Sequence, residues 1–287
     1  MTAVQPGLDR LVRLLDLETI EVNIFRGARA ETSMIRVFGG QVAGQALIAA
    51  GRTVPPDRKV HSLHAYFIRG GDPVAPIVYD VDRIRDGRSF TTRRVVAIQH
   101  GNAIFALSAS FQLAEHDGME HAEPMPAVPP PEELPTIAER IAPFAEQFGP
   151  WGQSPRPIDV RYVDDPPWIS RAAGPRDARS RVWMRADGTL PDDELLHVCV
   201  LAYASDMTLL DSVLARHGVD WRNDIKGASL DHAMWFHRPF RADDWILYDC
   251  TSPSASGNRG LAIGRFFARD GRLVATVVQE GLVRLLR

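Results

Sequence analysis

The chain has 287 residues and a formal charge of −3, from 33 basic and 36 acidic side chains. At roughly 100–200 residues per domain, that length allows one large domain or two ordinary ones, and the 45% apolar and 24% charged fractions are those of a globular chain. The near-neutral balance argues against a dedicated nucleic-acid binder, which needs a basic surplus to meet phosphates. The opening MTAVQPGLDRLVRLLDLE carries charges too early for a signal-peptide core. No stretch approaches the roughly 18 uncharged apolar residues of a membrane span. Two cysteines, Cys199 and Cys250, sit in apolar surroundings and make neither a disulfide framework nor a four-ligand zinc site. A soluble protein of a reducing, cytoplasmic compartment is expected.

In chain order, the first structured segment after the N-terminus is helical, Gln41–Ala50 (QVAGQALIAA). Strands rich in Val, Ile, Phe and Tyr follow, punctuated by Gly70-Gly71-Asp72, Asp86-Gly87 and His100-Gly101-Asn102. Ten prolines then fall between Ala114 and Pro157, a density incompatible with sheet interior, with room for a short helix over Glu132–Phe148. Three parts result: an N-terminal unit over 1–117, a Pro-rich connector over 118–157 and a C-terminal unit over 158–287. The last opens with a helical stretch, Asp192–Arg216, and continues in strands with a turn at Asp270-Gly271. The segment LLHVCVLAYASDMTLL (195–210) is apolar on almost every face, so protein must wrap it all round.

The two units look related. With an offset of 169, Phe67 falls on Phe236, Arg69 on Arg238, Tyr79 on Tyr248 and Asp80 on Asp249. Farther on, Gly101 falls on Gly271 at an offset of 170. Two segments in order at nearly constant offset indicate a tandem duplication. A long helix swaddled by a curved antiparallel sheet, twice over, satisfies the pattern, so the fold class is α+β.

Chemistry is not announced by a common motif: G-x-S-x-G, H-E-x-x-H, a P-loop and G-x-G-x-x-G are all missing. What remains are polar residues where the pattern wants apolar ones. Asp206, after YAS in the buried helix, either caps a following helix or performs chemistry. Gln279 ends the run LVATVVQ and by alternation shares a face with Leu273, Ala275 and Val277; it orients a water or satisfies a backbone edge. Ser229 is a turn residue or a functional hydroxyl. His232 and His237, five apart on one strand, point to opposite faces, which argues against a metal pair.

The segments FGGQVAGQAL (38–47), VHSLHAYFIRGGD (60–72), DGRSFTTRRV (86–95), YASD (203–206), DHAMWFHRPF (231–240), SASGNRG (254–260) and VQEG (278–281) together resemble the acyl-CoA thioesterase II (TesB-type) family. The resemblance is ordered and covers nearly the whole chain. It implies a double hot-dog fold and hydrolysis of fatty acyl-CoA to fatty acid and CoA without a covalent intermediate. No cofactor or metal is implied; the partners are the acyl-CoA substrate and further copies of the chain, as a dimer or larger. Carried over by residue, the family's aspartate and glutamine match Asp206 and Gln279, and its threonine matches Ser229. The serine is a departure that keeps the hydroxyl but loses the methyl restricting its rotamer.

Around these three, Gly39-Gly40 ahead of the first helix would offer N–H groups to an oxyanion, or serve geometry alone. His64 would touch substrate, or pack under Phe67. Arg259 would meet the phosphates or pantetheine of CoA, or be an ordinary surface arginine. Two other readings share the fold. One is an enoyl-CoA hydratase using an Asp–His pair, although the adjacent Asp231 and His232 face opposite ways on a strand. The other is an acyl-CoA-binding protein without activity.

Overall fold

A computed structural model describes residues 5–29, 35–115, 118–144, 146, 155–170 and 176–286. The helices are α1 (Pro6–Leu15), α2 (Gly39–Gly51), α3 (Ile137–Ile141), α4 (Pro167–Ser170), α5 (Glu194–Ser205) and α6 (Asp211–His217). In the first half the strands are β1 (Glu18–Glu21), β2 (Ile24–Gly27), β3 (Arg58–Phe67), β4 (Ile77–Asp86), β5 (Phe90–Gln99) and β6 (Asn102–Leu113). In the second they are β7 (Ile158–Tyr162), β8 (Arg179–Ala186), β9 (Ile225–Ser229), β10 (Asp231–Phe236), β11 (Ile246–Ser256), β12 (Arg259–Ala268) and β13 (Leu273–Leu285).

All the strands join one antiparallel sheet in the order β1-β2-β4-β5-β6-β3-β10-β13-β12-β11-β8-β7, with β9 added beside β13. The halves repeat: β2-β4-β5-β6-β3 reappears as β8-β11-β12-β13-β10, and β3 pairs with β10 at the junction. Register carries the repeat to single residues. At the offset of 169 His64 corresponds to Ala233, and these two are paired across the junction, so the pseudo-twofold passes between them. These are two hot-dog units fused edge to edge.

Each unit wraps its sheet around a helix with no polar face to show to water. Every residue of α2 from Gly40 to Ala50 is buried, as are Leu196 to Ala202 of α5. Both helices are therefore held by packing all round rather than by amphipathic docking. They lie antiparallel on one another: a Cβ on Gly40 would sit 2.3 Å from the Tyr203 carbonyl oxygen, and one on Gly51 2.4 Å from the Leu195 side chain. Only glycine at position 40 permits that approach.

Helix α5 starts where Asp193 accepts hydrogen bonds from the N–H groups of Leu195 and Leu196, and it ends at Asp206. The single stretch expected over Asp192–Arg216 is thus broken by a turn before α6, which stops at Gly218 in the left-handed region (φ 62°). Alternation on β13 also fails at one point. A register shift opposite Phe266/Phe267 displaces Leu273, which packs with Trp183, Trp245, Leu247 and Phe267 on the outer face, while Ala275 and Val277 stay in the main core.

The described part of the Pro-rich connector covers that outer cluster. Met125, Val128 and Leu134 pack on it, and Trp183 Nε1 donates to the Pro129 carbonyl at 2.9 Å. Within the stretch expected to hold a short helix, α3 forms behind a Thr136–Glu139 capping box. Residues 145 and 147–148 lie outside the described residues.

Candidate active site

The polar residues that conflict with the apolar pattern meet at one end of the α2–α5 pair. Helix α2 begins at Gly39 with no acidic residue in its first turn and no side-chain cap on it. Its positive N-terminal end is met instead by Asp206, arriving from the C-terminus of α5, whose carboxylate accepts the Gly40 N–H. A Cβ on Gly39 would stand 2.6 Å from Asp206 Oδ2, so glycine here lets the carboxylate close on the helix end. Asp206 does not cap α6, whose N-cap is Leu210 with no side-chain bond.

Two further donors converge on the other carboxylate oxygen. Ser229, the last residue of β9, donates from Oγ to Asp206 Oδ1 at 3.0 Å. Gln279 of β13 donates from Nε2 to the same oxygen at 3.0 Å and lies 2.9 Å from Ser229 Oγ. Three side chains distant in sequence thus close a triangle, fixed because β9 and β10 both pair with β13. Burial pushes the Asp206 carboxyl above its ordinary value, against the hydrogen bonds from Gln279, Ser229 and Gly40 and the nearby His232 imidazole, which favour the anion. The result is a carboxylate more basic than usual, held by donors that fix its direction. Phe38 and Tyr203, edge to face at 5.0 Å, and Phe67 against Gly39 supply apolar surface around it.

Two residues stand behind this triangle, His232 and Ser205, to which the sequence reading gave no such part. His232 is buried on the inner face of β10, with Nδ1 hydrogen-bonded to Gln279 Oε1 and Nε2 at 2.9 Å from Ser205 Oγ. The signal was present: at the offset of 169, His232 stands where the first half has Leu63 on a core face.

Gly40, Asp206, Ser229 and Gln279 come together; His64 and Arg259 do not join them. His64 is exposed on the outer face of β3, edge to face with Trp235 at 5.2 Å. It does not pack under Phe67, whose ring lies against Phe105. Alternation decides this, because the inner positions beside it on β3 are Leu63 and Ala65. Arg259 is exposed at the start of β12 and pairs with Glu280 at 3.0 Å. Glu280 neighbours Gln279 on the strand and points to the opposite face. The Gly40 N–H, expected to serve an oxyanion, is engaged with Asp206 in this structure.

A family model described as acyl-CoA thioesterase matches residues 154–282, and one for the acyl-CoA thioesterase N-terminal domain matches 28–112. Acyl-coenzyme A thioesterase 8 of Homo sapiens is 42% identical, over 95% of this chain and 88% of that protein. Acyl-CoA thioesterase 2 of Haemophilus influenzae is 41% identical, over 96% of this chain and 98% of its own length. The crystal structure of acyl-CoA thioesterase II TesB2 from Mycobacterium marinum superposes with a TM-score of 0.79 at 48% identity, covering 96% of this chain and 98% of that one. The chain belongs to the acyl-CoA thioesterase II family.

In this thioesterase the hydratase alternative loses its dyad. Asp231 Oδ1 accepts the Glu280 N–H at 2.7 Å on the outer side, while the adjacent His232 is buried inward. His237 points outward to Thr276 Oγ1 at 2.8 Å, so it cannot share a metal with His232. Among the described residues no group of three His, Cys, Asp or Glu side chains is placed to hold a metal ion, and no helix is long and apolar enough to cross a membrane.

Proposed function

We propose that Asp206, Ser229 and Gln279 activate the water with which this acyl-CoA thioesterase cleaves fatty acyl-CoA to fatty acid and CoA. The supporting observation is the closed triangle of hydrogen bonds on Asp206 Oδ1. With that oxygen held by two donors, Oδ2 on the Gly39 side is the atom that takes a proton from water. The hydroxide equivalent attacks the thioester carbonyl and a tetrahedral oxyanion forms. The C–S bond then breaks, the thiolate of CoA leaves, and the proton on Asp206 is returned to products. A thiolate leaves readily, so the work is to position the water and stabilise the oxyanion. Alignment of reacting groups can supply up to roughly 7–11 kcal/mol. The N-terminal end of α2, with the Gly39 N–H beside Gly40, is the candidate electropositive site for the oxyanion.

Ser229 and Gln279 hold the carboxylate in line, and the raised Asp206 pKa makes it a better base. Because the base must be ionised, kcat/KM falls as pH drops through a pKa above the ordinary aspartate value of about 3.9. The deciding experiment is thiol release from acyl-CoAs of short to long chain, with Asp206→Asn run in parallel. Release by the wild-type protein and none above background by the variant supports the reading. Near wild-type turnover in a folded variant overturns it, and acyl-CoA binding without release by the wild-type protein marks a binding module instead.

The cytoplasmic, homo-oligomeric state expected from the sequence is part of the same proposal. The oligomer draws support from Tyr66, 67% exposed on the outer face at the junction of the halves near the His64–Trp235 pair. Light scattering in solution tests it, and a monomer overturns the oligomer.

A further inference from the structure

The catalytic triangle works only if the Gln279 carboxamide is turned one way. A carboxylate accepts hydrogen bonds and cannot donate them, so Nε2 must face Asp206 Oδ1, where it stands at 3.0 Å. Oε1 then faces inward and requires a donor. Turned the other way, the amide would set its oxygen against the carboxylate and lose the bond that aims it.

Among the described residues, the partner of Oε1 behind Gln279 is Nδ1 of His232, a fully enclosed imidazole. Its other nitrogen, Nε2, lies 2.9 Å from Ser205 Oγ, and Ser205 Oγ is in turn 2.9 Å from the Ala202 carbonyl oxygen and near Met234 Sδ. Each protonation state that keeps Nδ1–H fits. In the neutral ring Ser205 donates to Nε2; in the charged ring Nε2 donates to Ser205, which donates to Ala202. Burial favours the neutral ring by lowering its pKa. Only the tautomer with a bare Nδ1 is excluded, because two acceptors would then meet.

The duplication supplies an independent observation. Continuing the β10–β13 register one residue beyond the Ala233–Val278 pair sets His232 opposite Gln279, to which it is hydrogen-bonded, as Leu63 is paired with Ala109 across β3 and β6. The half without the carboxylate thus has an apolar pair at both positions, and the histidine occurs only where the glutamine does. A core-filling histidine would have no reason to keep that company.

We propose that His232, braced by Ser205, is a positioning residue that locks the amide orientation of Gln279 and through it the direction of Asp206. The inference rests on the assignment of Asp206 and Gln279 made above. The test uses the full chain and thiol release from decanoyl-CoA. His232→Leu, copying the first half, should lower kcat by roughly 10–100-fold, as loss of a supporting hydrogen bond behind a first ligand does, with KM little changed. His232→Asn, whose Nδ2 can stand where Nδ1 stood, should recover most of the loss.

The decisive measurement is the double variant. If His232 acts through Gln279, His232→Leu with Gln279→Ala is no slower than Gln279→Ala alone. Multiplicative losses, no loss in folded His232→Leu, or an equal loss in His232→Asn overturn the proposal. Should the variants fail to fold, nitrogen-15 NMR of the wild-type imidazole decides: Nδ1–H is expected, and an Nε2–H tautomer refutes it. If Asp206→Asn retains wild-type turnover, the site assignment fails first, which distinguishes the two failures.

Discussion

The two ends of the crossed helices began as copies and have been put to opposite uses. At one end Ala262 pairs with Gln279 across β12 and β13; at the other, Arg93 pairs with Ala109 across β5 and β6. Where the site has a small residue beside an amide, the opposite end has a guanidinium beside a small residue. Arg93 is 1% exposed and fully engaged. Nε donates to Thr53 Oγ1 at 2.9 Å and Nη2 to the Thr53 carbonyl at 3.0 Å and Asp86 Oδ1 at 2.6 Å. Nη1 donates to the carbonyls of Arg85 and Thr92. Burying a charge is tolerable when its donors are satisfied, and here the cation also fills the space and meets the carbonyl end of α2, where positive charge is favoured. One end has become a fastening, while the other keeps a carboxylate whose environment opposes its ionisation.

That contrast predicts a double dissociation. Asp206→Asn should cut turnover by about 10²–10⁴, the usual contribution of a general base. Thermal stability should hold or rise, since the raised pKa means the ionised carboxylate costs the fold free energy above its unfolded pKa. Arg93→Met should do the reverse: turnover per folded molecule unchanged, and stability lower by about 1–3 kcal/mol for the orphaned Thr53 acceptors. Urea denaturation beside thiol release reads both. A variant of Arg93 that loses activity in proportion to Asp206→Asn would erase the distinction between the ends.

A smaller effect separates a water-based reaction from a serine nucleophile. Ser229 makes one hydrogen bond to the ionised base and one to Gln279, and a hydrogen bond to a charged group is worth about 1.5–3 kcal/mol. Ser229→Ala should therefore lose about 10–150-fold in kcat. Ser229→Thr, which restores a restricted rotamer, should match or exceed the wild type, by no more than about fivefold. Loss in Ser229→Ala as deep as in Asp206→Asn would instead make the serine hydroxyl the attacking group.

How far these features were legible in the sequence depends on what each requires. The duplication was legible because Tyr79 and Tyr248 occupy equivalent strand positions under the same core demand, both fully buried. Asp206 and Gln279 stood out as polar residues in apolar runs, though only resemblance joined them to Ser229. Arg93 and Ser205 gave no such signal: their roles come from surfaces that meet only after the sheet has curled round both helices. His64 was misplaced because a histidine one residue from a core position reads much like a buried one until the strand's faces are known. The face of Leu273 was lost to a register shift that period-2 reasoning cannot anticipate.

Asp206 also has a control five residues along the chain. Asp211 is buried as well, and its pKa is pushed up to about 7 by burial, against hydrogen bonds from Tyr162 Oη at 3.1 Å and Trp221 Nε1 at 3.3 Å. Both carboxyls are basic for the same reason. Asp211, itself the first residue of α6, is held by a phenol and an indole and lacks the carboxamide of Gln279 and the Gly40 N–H that meet Asp206, so burial alone should not make a catalyst. Asp211→Asn should leave turnover intact and change only how stability depends on pH. The unfolded group ionises near pH 3.9, so between there and about pH 7 the folded chain holds a proton that the unfolded chain has lost. Stability from this group therefore declines as pH rises, by about 1.4 kcal/mol between pH 6 and pH 8 for a folded pKa of about 7. Removing the charge should make the advantage of Asp211→Asn over wild type grow by that amount across the interval. A stability difference that stays constant with pH would mean that Asp211 is ionised in the fold throughout, and the contrast with Asp206 would then rest on hydrogen-bond geometry alone.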